Sequence, residues 1–404
     1  MKRELEIYIH IPFCVKKCDY CDFFSEVSND TKKNDYIEAL LSEIKATEVA
    51  EEYRVVSIFF GGGTPSVLKA SLIVEIMETL KVRFDIAGDA EITIECNPGT
   101  VDEDKLTAYR DCGINRISFG LQSTNDDELA SLGRIHTYEE FLESYKLAKQ
   151  VGFGNISVDL MSGLPGQTVS SWVKALEKIG DLSPPHISAY SLIVEEGTPF
   201  AARSLNLPSE DEEREMYEKT AEILTGFGYH QYEISNYAKD GYECRHNVGY
   251  WIRVDYLGFG AGASSLFNNV RYSNVKDLEV YQANSGLDCH RDFHSRHCGL
   301  DPHRQSSSMF SHCGLDPQSP IRCDVEILDD KSAMEEFIFL GLRMLRGIND
   351  TEFKDEFGVS LRAVYGDEID RLVEQGLLDF DEHDLKLTRK GISVSNYVFG
   401  ELLA

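Results

Sequence analysis

Three cysteines, Cys14, Cys18 and Cys21, fall within eight positions in the stretch YIHIPFCVKKCDYCDFFS, directly after a short apolar run. Thiolates are soft ligands, and gaps of three and then two residues let one short loop bring the sulfurs around a single metal centre. A structural zinc site takes four protein ligands, often as paired C-x-x-C units, and a catalytic zinc recruits His or carboxylate. Neither pattern stands in this loop. An iron-sulfur cubane has four irons, each taking an outer ligand. Three cysteines therefore leave one iron open to a group that is not protein. Lys16, Lys17, Asp19 and Asp22 make the loop polar, which argues against three apolar core cysteines.

Such a loop needs a sizeable fold to hold it. The chain has 404 residues, 42% hydrophobic and 10% aromatic, enough for two or three domains with ample core. Its formal charge is −29, from 40 Lys and Arg against 69 Asp and Glu. That balance speaks against nucleic acid, whose phosphates need clustered cations, and against docking on anionic lipid. After Met1, Lys2 and Arg3 the chain enters ELEIYIHIPFC, too short and too charged for the apolar segment of a secretory signal. No apolar run approaches membrane-spanning length. The expectation is a cytoplasmic protein without an integral membrane segment, in which clustered cysteines mean metal more than disulfides.

From residue 5 to about 195, strand-like runs alternate with helical ones. The runs at 6–11, 55–62, 91–98, 116–123, 156–165 and 186–194 predict strands. Helical periods fill the gaps, as in KKNDYIEALLSEIKATEV and TYEEFLESYKLAKQVGF. Strand and helix repeated in this way imply a parallel sheet with right-handed crossovers, and six units predict an incomplete (β/α)6 barrel of the α/β class. Functional residues of such folds gather at the C-terminal strand ends. Here those ends carry the cysteine loop, GGGTP (61–65), Glu95 with Asn97 and Pro98, FGLQS, and Asp159 with SGLPGQT, while the strand bodies read as apolar. One mouth holding a small polar ligand is the expectation.

Beyond the barrel, assigned to residues 1–200, a segment 201–288 contains a helix with an acidic first turn at 208–226, favourable to its dipole, and then a stretch rich in Tyr, Trp, His, Asn and Gly. Residues 324–404 read as helices followed by a small hairpin, a mostly helical, winged-helix-like domain with a packing or lid role. Between them, 289–323 repeats HCGLDP and carries four of the ten cysteines and five of the eleven histidines. It shows neither helical nor strand period and reads as a flexible surface insertion, which costs little in closure entropy.

The C-x-x-x-C-x-x-C spacing, with Tyr20 before the third cysteine, resembles the radical S-adenosylmethionine (SAM) superfamily. Joined to YIHIPFC, FFGGGTP, FGLQS, VDLMSGLPGQT and RHNVGYW, the chain outside 289–323 resembles the oxygen-independent coproporphyrinogen oxidase-like branch, and within it the heme chaperone family HemW. The resemblance implies a 4Fe-4S cluster on Cys14, Cys18 and Cys21, with SAM on the open iron. It implies that Tyr8 lies beside the methionine part and Tyr20 at the adenine. Gly61, Gly62 and Gly63 would let backbone approach the ligand, with the Thr64 hydroxyl beside them. Glu95, Asp159 and Gln122 would meet the ribose side, Arg134 the SAM carboxylate, and Ile193 the adenine. Cys96 and Cys112 are expected in the core.

Two activities fit that branch: decarboxylation of coproporphyrinogen III by a SAM-derived radical, and heme delivery without that enzymatic turnover. Phe23 stands where the oxidase pattern has a further Cys, the oxidase's N-terminal arm is not seen ahead of Tyr8, and HNVGYW matches an H-N-x-x-Y-W signature of HemW. The resemblance therefore implies a chaperone for heme as cargo, respiratory proteins as recipients, and a possible homodimer. His246 is the expected heme ligand, with Asn247, Tyr250 and Trp251 around it and Cys244 as a second candidate.

Overall fold

The computed structural model describes residues 2–285, 319–381 and 383–403. Six parallel strands, β1 (Arg3–Ile11), β2 (Tyr53–Gly62), β3 (Ile86–Cys96), β4 (Arg116–Gln122), β5 (Asn155–Ser162) and β6 (His186–Ser191), lie side by side in chain order. Consecutive strands as nearest neighbours, with no reversal of order, curl into an incomplete α/β barrel. The helices α1 (Asp30–Ala46), α2 (Ala70–Arg83), α3 (Glu103–Asp111), α4 (Asp126–Ser131), α5 (Tyr138–Val151) and α6 (Val169–Leu182) make the crossovers. Local signals set their ends: Asn29 caps α1, and capping boxes open α5 (Thr137, Glu140) and α6 (Thr168, Ser171).

The sheet continues past the six predicted strands. After α7 (Glu210–Gly226), whose first turn holds Glu210, Asp211, Glu212 and Glu213, the short strands β7 (His230–Gln231) and β8 (Asn236–Ala238) extend the β6 edge antiparallel. Helix α8 (Arg245–Trp251) follows, and β9 (Tyr256–Phe259) pairs parallel with β1 on the other edge. The antiparallel strands β10 (Ser264–Phe267), β11 (Val270–Asn274) and β12 (Arg322–Ile327) complete a twelve-stranded sheet. Helix α9 (Leu278–Asn284) precedes the segment read as an insertion. Residues 286–318 lie outside the described residues; Arg322 and Cys323, assigned to that segment by sequence, begin β12.

A second core closes between residues 337 and 402. It packs α10 (Asp330–Gly341), α11 (Asp350–Phe357), α12 (Leu361–Glu374), α13 (Arg389–Ser393) and α14 (Ser395–Leu402) on a three-stranded sheet of β13 (Ile348–Asn349), β14 (Leu378–Phe380) and β15 (Asp384–Leu387). This unit docks on α8: Arg343 lies over the Trp251 ring at 4.5 Å, and Arg253 meets Glu336 at 3.1 Å and Glu356 at 3.3 Å. Among the described residues no helix is long and apolar enough to cross a membrane.

The expectation of apolar strand bodies holds on one side only. Leu5, Ile7, Ile9, Ile58, Phe60, Ile92 and Ile94 are buried in the main apolar core. The alternate residues, such as Glu6, Ser57, Glu91, Thr93, Arg116, Ser157 and His186, are buried as well. A strand turns successive side chains to opposite faces, so the second set fills the barrel interior with polar groups.

Candidate functional site: a cysteine mouth and an aromatic cavity

The cysteine loop leaves β1 and is pinned on both flanks. Cys14 N donates to Glu26 O at 3.0 Å, Asp19 N to Leu132 O at 3.0 Å, and Phe200 N to Asp19 O at 3.0 Å. Arg203 pairs with Asp19 at 2.7 Å. Cys14, Cys18 and Cys21 then line a cavity of about 390 Å3 together with Tyr20, Gly62, Gly63, Thr64, Glu95, Asn97, Gln122, Arg134, Asp159, Tyr190 and Ile193. No trio of His, Cys, Asp or Glu among the described residues is disposed to hold one metal ion. Three cysteines lining one mouth are the ligand set that a cluster with one open iron would take.

Donors aim at these sulfurs. Thr64 Oγ1 donates to Cys14 Sγ and Arg134 Nη1 to Cys18 Sγ, each at 3.5 Å. Arg134 Nη2 donates to Asn97 Oδ1 at 2.8 Å and also to Gly120 O, and Asn97 Nδ2 donates to Thr64 Oγ1 at 2.9 Å. One chain of hydrogen bonds thus joins two thiols. Hydrogen bonds to the sulfurs are among the groups that tune an iron-sulfur cluster, and Arg134 Nε is buried with no partner. This donor set fits an iron-sulfur cluster with a polar ligand beside it.

The carboxylates lie deeper. Burial, and next the Asp159 charge, push the Glu95 carboxyl up to about 8. Burial also raises Asp159, although Ser118 Oγ donates to it at 3.0 Å. Both want partners that share their protons or hydroxyls. Gln122 sits at a bulge in β4 with φ of 74° and accepts from the Tyr190 hydroxyl at 2.7 Å. Ile193 is 69% exposed at the rim.

Three expectations change here. Gly62 and Gly63 do line the cavity, but their missing side chains make room for protein: a Cβ on Gly62 (φ 106°) would meet the His10 ring at 2.5 Å, and one on Gly63 the Phe13 carbonyl at 2.7 Å. Gly61 lies behind the mouth, against Tyr8, Phe59 and Glu95. Tyr8 points along the barrel interior, its hydroxyl 3.1 Å from His10 Nδ1, and lines a second cavity.

That cavity, about 450 Å3, is bounded by Tyr8, His10, Phe24, Tyr250, Trp251, Tyr256, Arg271, Lys276 and Leu340, and shares Asp22 and Phe23 with the first. Tyr250 and Trp251 of the HNVGYW segment thus reach it. His246 does not: it is 1% exposed, its Nδ1 lies 2.7 Å from Ser57 Oγ, and burial pulls its basicity down to about 3. Expected as a heme ligand, it is instead packed between Phe59 and Tyr250, at centroid distances of 5.1 and 4.7 Å. Cys244 is buried against Glu91, and Asn247 lines neither cavity.

The Radical SAM superfamily model matches residues 8–179 and the HemN C-terminal domain model residues 328–394. The heme chaperone HemW of Lactococcus lactis is 35% identical over 400 residues, covering 98% of this chain and 96% of that protein. The chain belongs to the HemW family. HemW of Bacillus subtilis is 34% identical over 402 residues, 98% of both chains, and HemW of Escherichia coli 42% over 261 residues, 64% of this chain and 69% of that one. In fold, the chain is similar to the coproporphyrinogen III oxidase HemN from Escherichia coli, a radical SAM enzyme, with a TM-score of 0.80 at 23% identity over 99% of this chain and 90% of that one.

The Radical SAM match over residues 8–179 spans the three cysteines of the mouth, whereas the second cavity also draws on residues 250–276 and Leu340. Sequence reading missed Tyr190, His10 and the bridging role of Asn97. Asn97 had a usable signal, a polar residue just past a strand end; Tyr190 and His10 had only their place on inward-facing strand positions.

Proposed function

We propose that this HemW-family chain is a heme chaperone that holds a 4Fe-4S cluster on Cys14, Cys18 and Cys21 and SAM in the first cavity, and carries heme in the second. The observation that supports it is the pair of adjoining cavities, one edged by thiols and one walled by aromatic rings, sharing Asp22 and Phe23. When bound, the cluster supplies an open iron for SAM and an electron-transfer centre. The protein's part is to hold and shield. Arg134, Asn97 and Thr64 orient the thiols and present donors to an anionic ligand group, while Glu95, Asp159 and Gln122 offer acceptors for hydroxyls. Tyr250 and Trp251 offer flat apolar surface to a porphyrin, and His246 behind them keeps Tyr250 in place. Delivery to respiratory heme proteins, from the cytoplasm and from a homodimer, completes the reading.

The test is anaerobic. After cluster reconstitution, heme is offered in one cuvette, and coproporphyrinogen III with SAM and reductant in another. A stoichiometric Soret shift without porphyrinogen turnover is the expected result. Protoporphyrinogen IX formed over many turnovers would make the chain an oxidase. Loss of the Soret shift in His246→Gln with the second cavity's tyrosine fluorescence unchanged would return the imidazole to the role of heme ligand.

A further inference from the structure

We infer that Lys276 is the carboxylate anchor of the second cavity, which thereby selects flat aromatic ligands bearing ionised carboxylates at one edge; this rests on the heme reading above. The cavity's volume lies in the range of small-ligand sites, and its rings, Tyr8, Phe24, Tyr250, Trp251 and Tyr256, favour a planar apolar body. Such a body with charged carboxylates needs a cation, and more so in a chain of net charge −29, whose overall field repels anions.

Three basic side chains line the cavity, and two are engaged. Arg271 Nη2 donates to Glu336 at 2.6 Å, a carboxylate that also takes Arg253. His10 has one ring nitrogen 3.1 Å from the Tyr8 hydroxyl and the other 2.9 Å from the Phe24 carbonyl. Burial lowers its basicity, and the nearby Lys276 charge adds to that. Lys276 itself has no hydrogen-bond or ion-pair partner among the described residues. Its stem runs beside Gly262, where a Cβ would lie 3.4 Å from the Lys276 Cγ. A stem laid along the wall with a free ammonium head is how lysine presents charge at an apolar site. Asp22, at the wall shared with the first cavity, is the carboxylate of this lining and disfavours anions on that side.

The experiment titrates the full-length protein with iron(III) protoporphyrin IX and with its dimethyl ester, read by absorbance. The wild type is expected to bind the diacid about fivefold more tightly than the diester, the upper end of what an exposed ion pair supplies. Lys276→Ala should bring the diacid to the diester's affinity, Lys276→Arg should restore it, and Lys276→Glu should fall below both. Lys276 is exposed, so these variants do not disturb the core. Equal diacid affinity in the wild type and Lys276→Ala would overturn the anchor and leave the heme reading standing. Failure of the wild type to bind either porphyrin would overturn the reading itself and the anchor with it.

Discussion

The two cavities share a wall and differ in how they are built. The first is a mouth of strand ends, in which Thr64, Asn97, Arg134 and two thiols form one hydrogen-bonded chain. The second is assembled from β1, the cysteine loop, α8, the β9–β11 edge and α10, and is held by ring packing. Hydrogen-bond chains fix geometry to fractions of an ångström, as an open iron requires, whereas aromatic walls fix a plane and leave rotation within it. Under the function proposed above, a bound cofactor and a cargo that must leave again call for that contrast.

Single changes on either side can break the comparison, the largest effect being expected at the thiols. Cys18→Ser should abolish the broad iron-sulfur absorbance after anaerobic reconstitution while far-ultraviolet circular dichroism is kept. Full iron and sulfide content in that variant would remove Cys18 from the ligand set. Arg134→Lys loses the planar fork that reaches Asn97, Gly120 and Cys18 at once, so cluster affinity should fall about 10–100-fold, measured by iron release to a chelator. Tyr250→Ala should weaken heme binding about tenfold and leave the cluster spectrum unchanged. A loss of both would mean that the cavities are one site.

Two further expectations sharpen the picture at lower amplitude. A Cβ on Gly249 would lie 2.1 Å from the Glu6 carboxylate, so Gly249→Ala should cost about 1–3 kcal/mol by overpacking, read from denaturant midpoints. Glu95 binds its proton up to about pH 8 when folded, against an ordinary value of 4.5. Between those values the folded chain holds more protons than the unfolded one, so this group's stability contribution is full below about 4.5 and is lost as pH rises toward 8. Glu95→Gln should flatten that part of the ligand-free melting-temperature profile.

The sequence made the first cavity legible because polar or glycine residues around strand ends announce themselves: apolar runs stop at Cys14, Gly61, Glu95 and Gln122, and Asp159 interrupts one inside β5. All but Gly61 line one mouth. The second was illegible because its walls come from positions as far apart as Tyr8 and Leu340, and no local period marks them. His246 shows the limit from the other side. Its residue type suggested a ligand, yet Ser57 and Phe59, inward positions of β2, hold it inside the barrel. The extra edge strands were also hidden, since β7 and β8 are two and three residues long, too short for alternation to register.

The ends flanking residues 286–318 are both fastened to the main fold. Tyr281, on α9, donates to Glu43 of α1 at 2.5 Å, and Arg322 opens β12 alongside β11. The second flank also reaches the second cavity: Val275 N donates to Ile321 O at 2.8 Å, and Glu326 of β12 pairs with Arg271 of that cavity's lining. For a protein engineer, a fluorescent reporter joined between α9 and β12 would be coupled through β11 to the aromatic cavity, and so would be placed to watch it load.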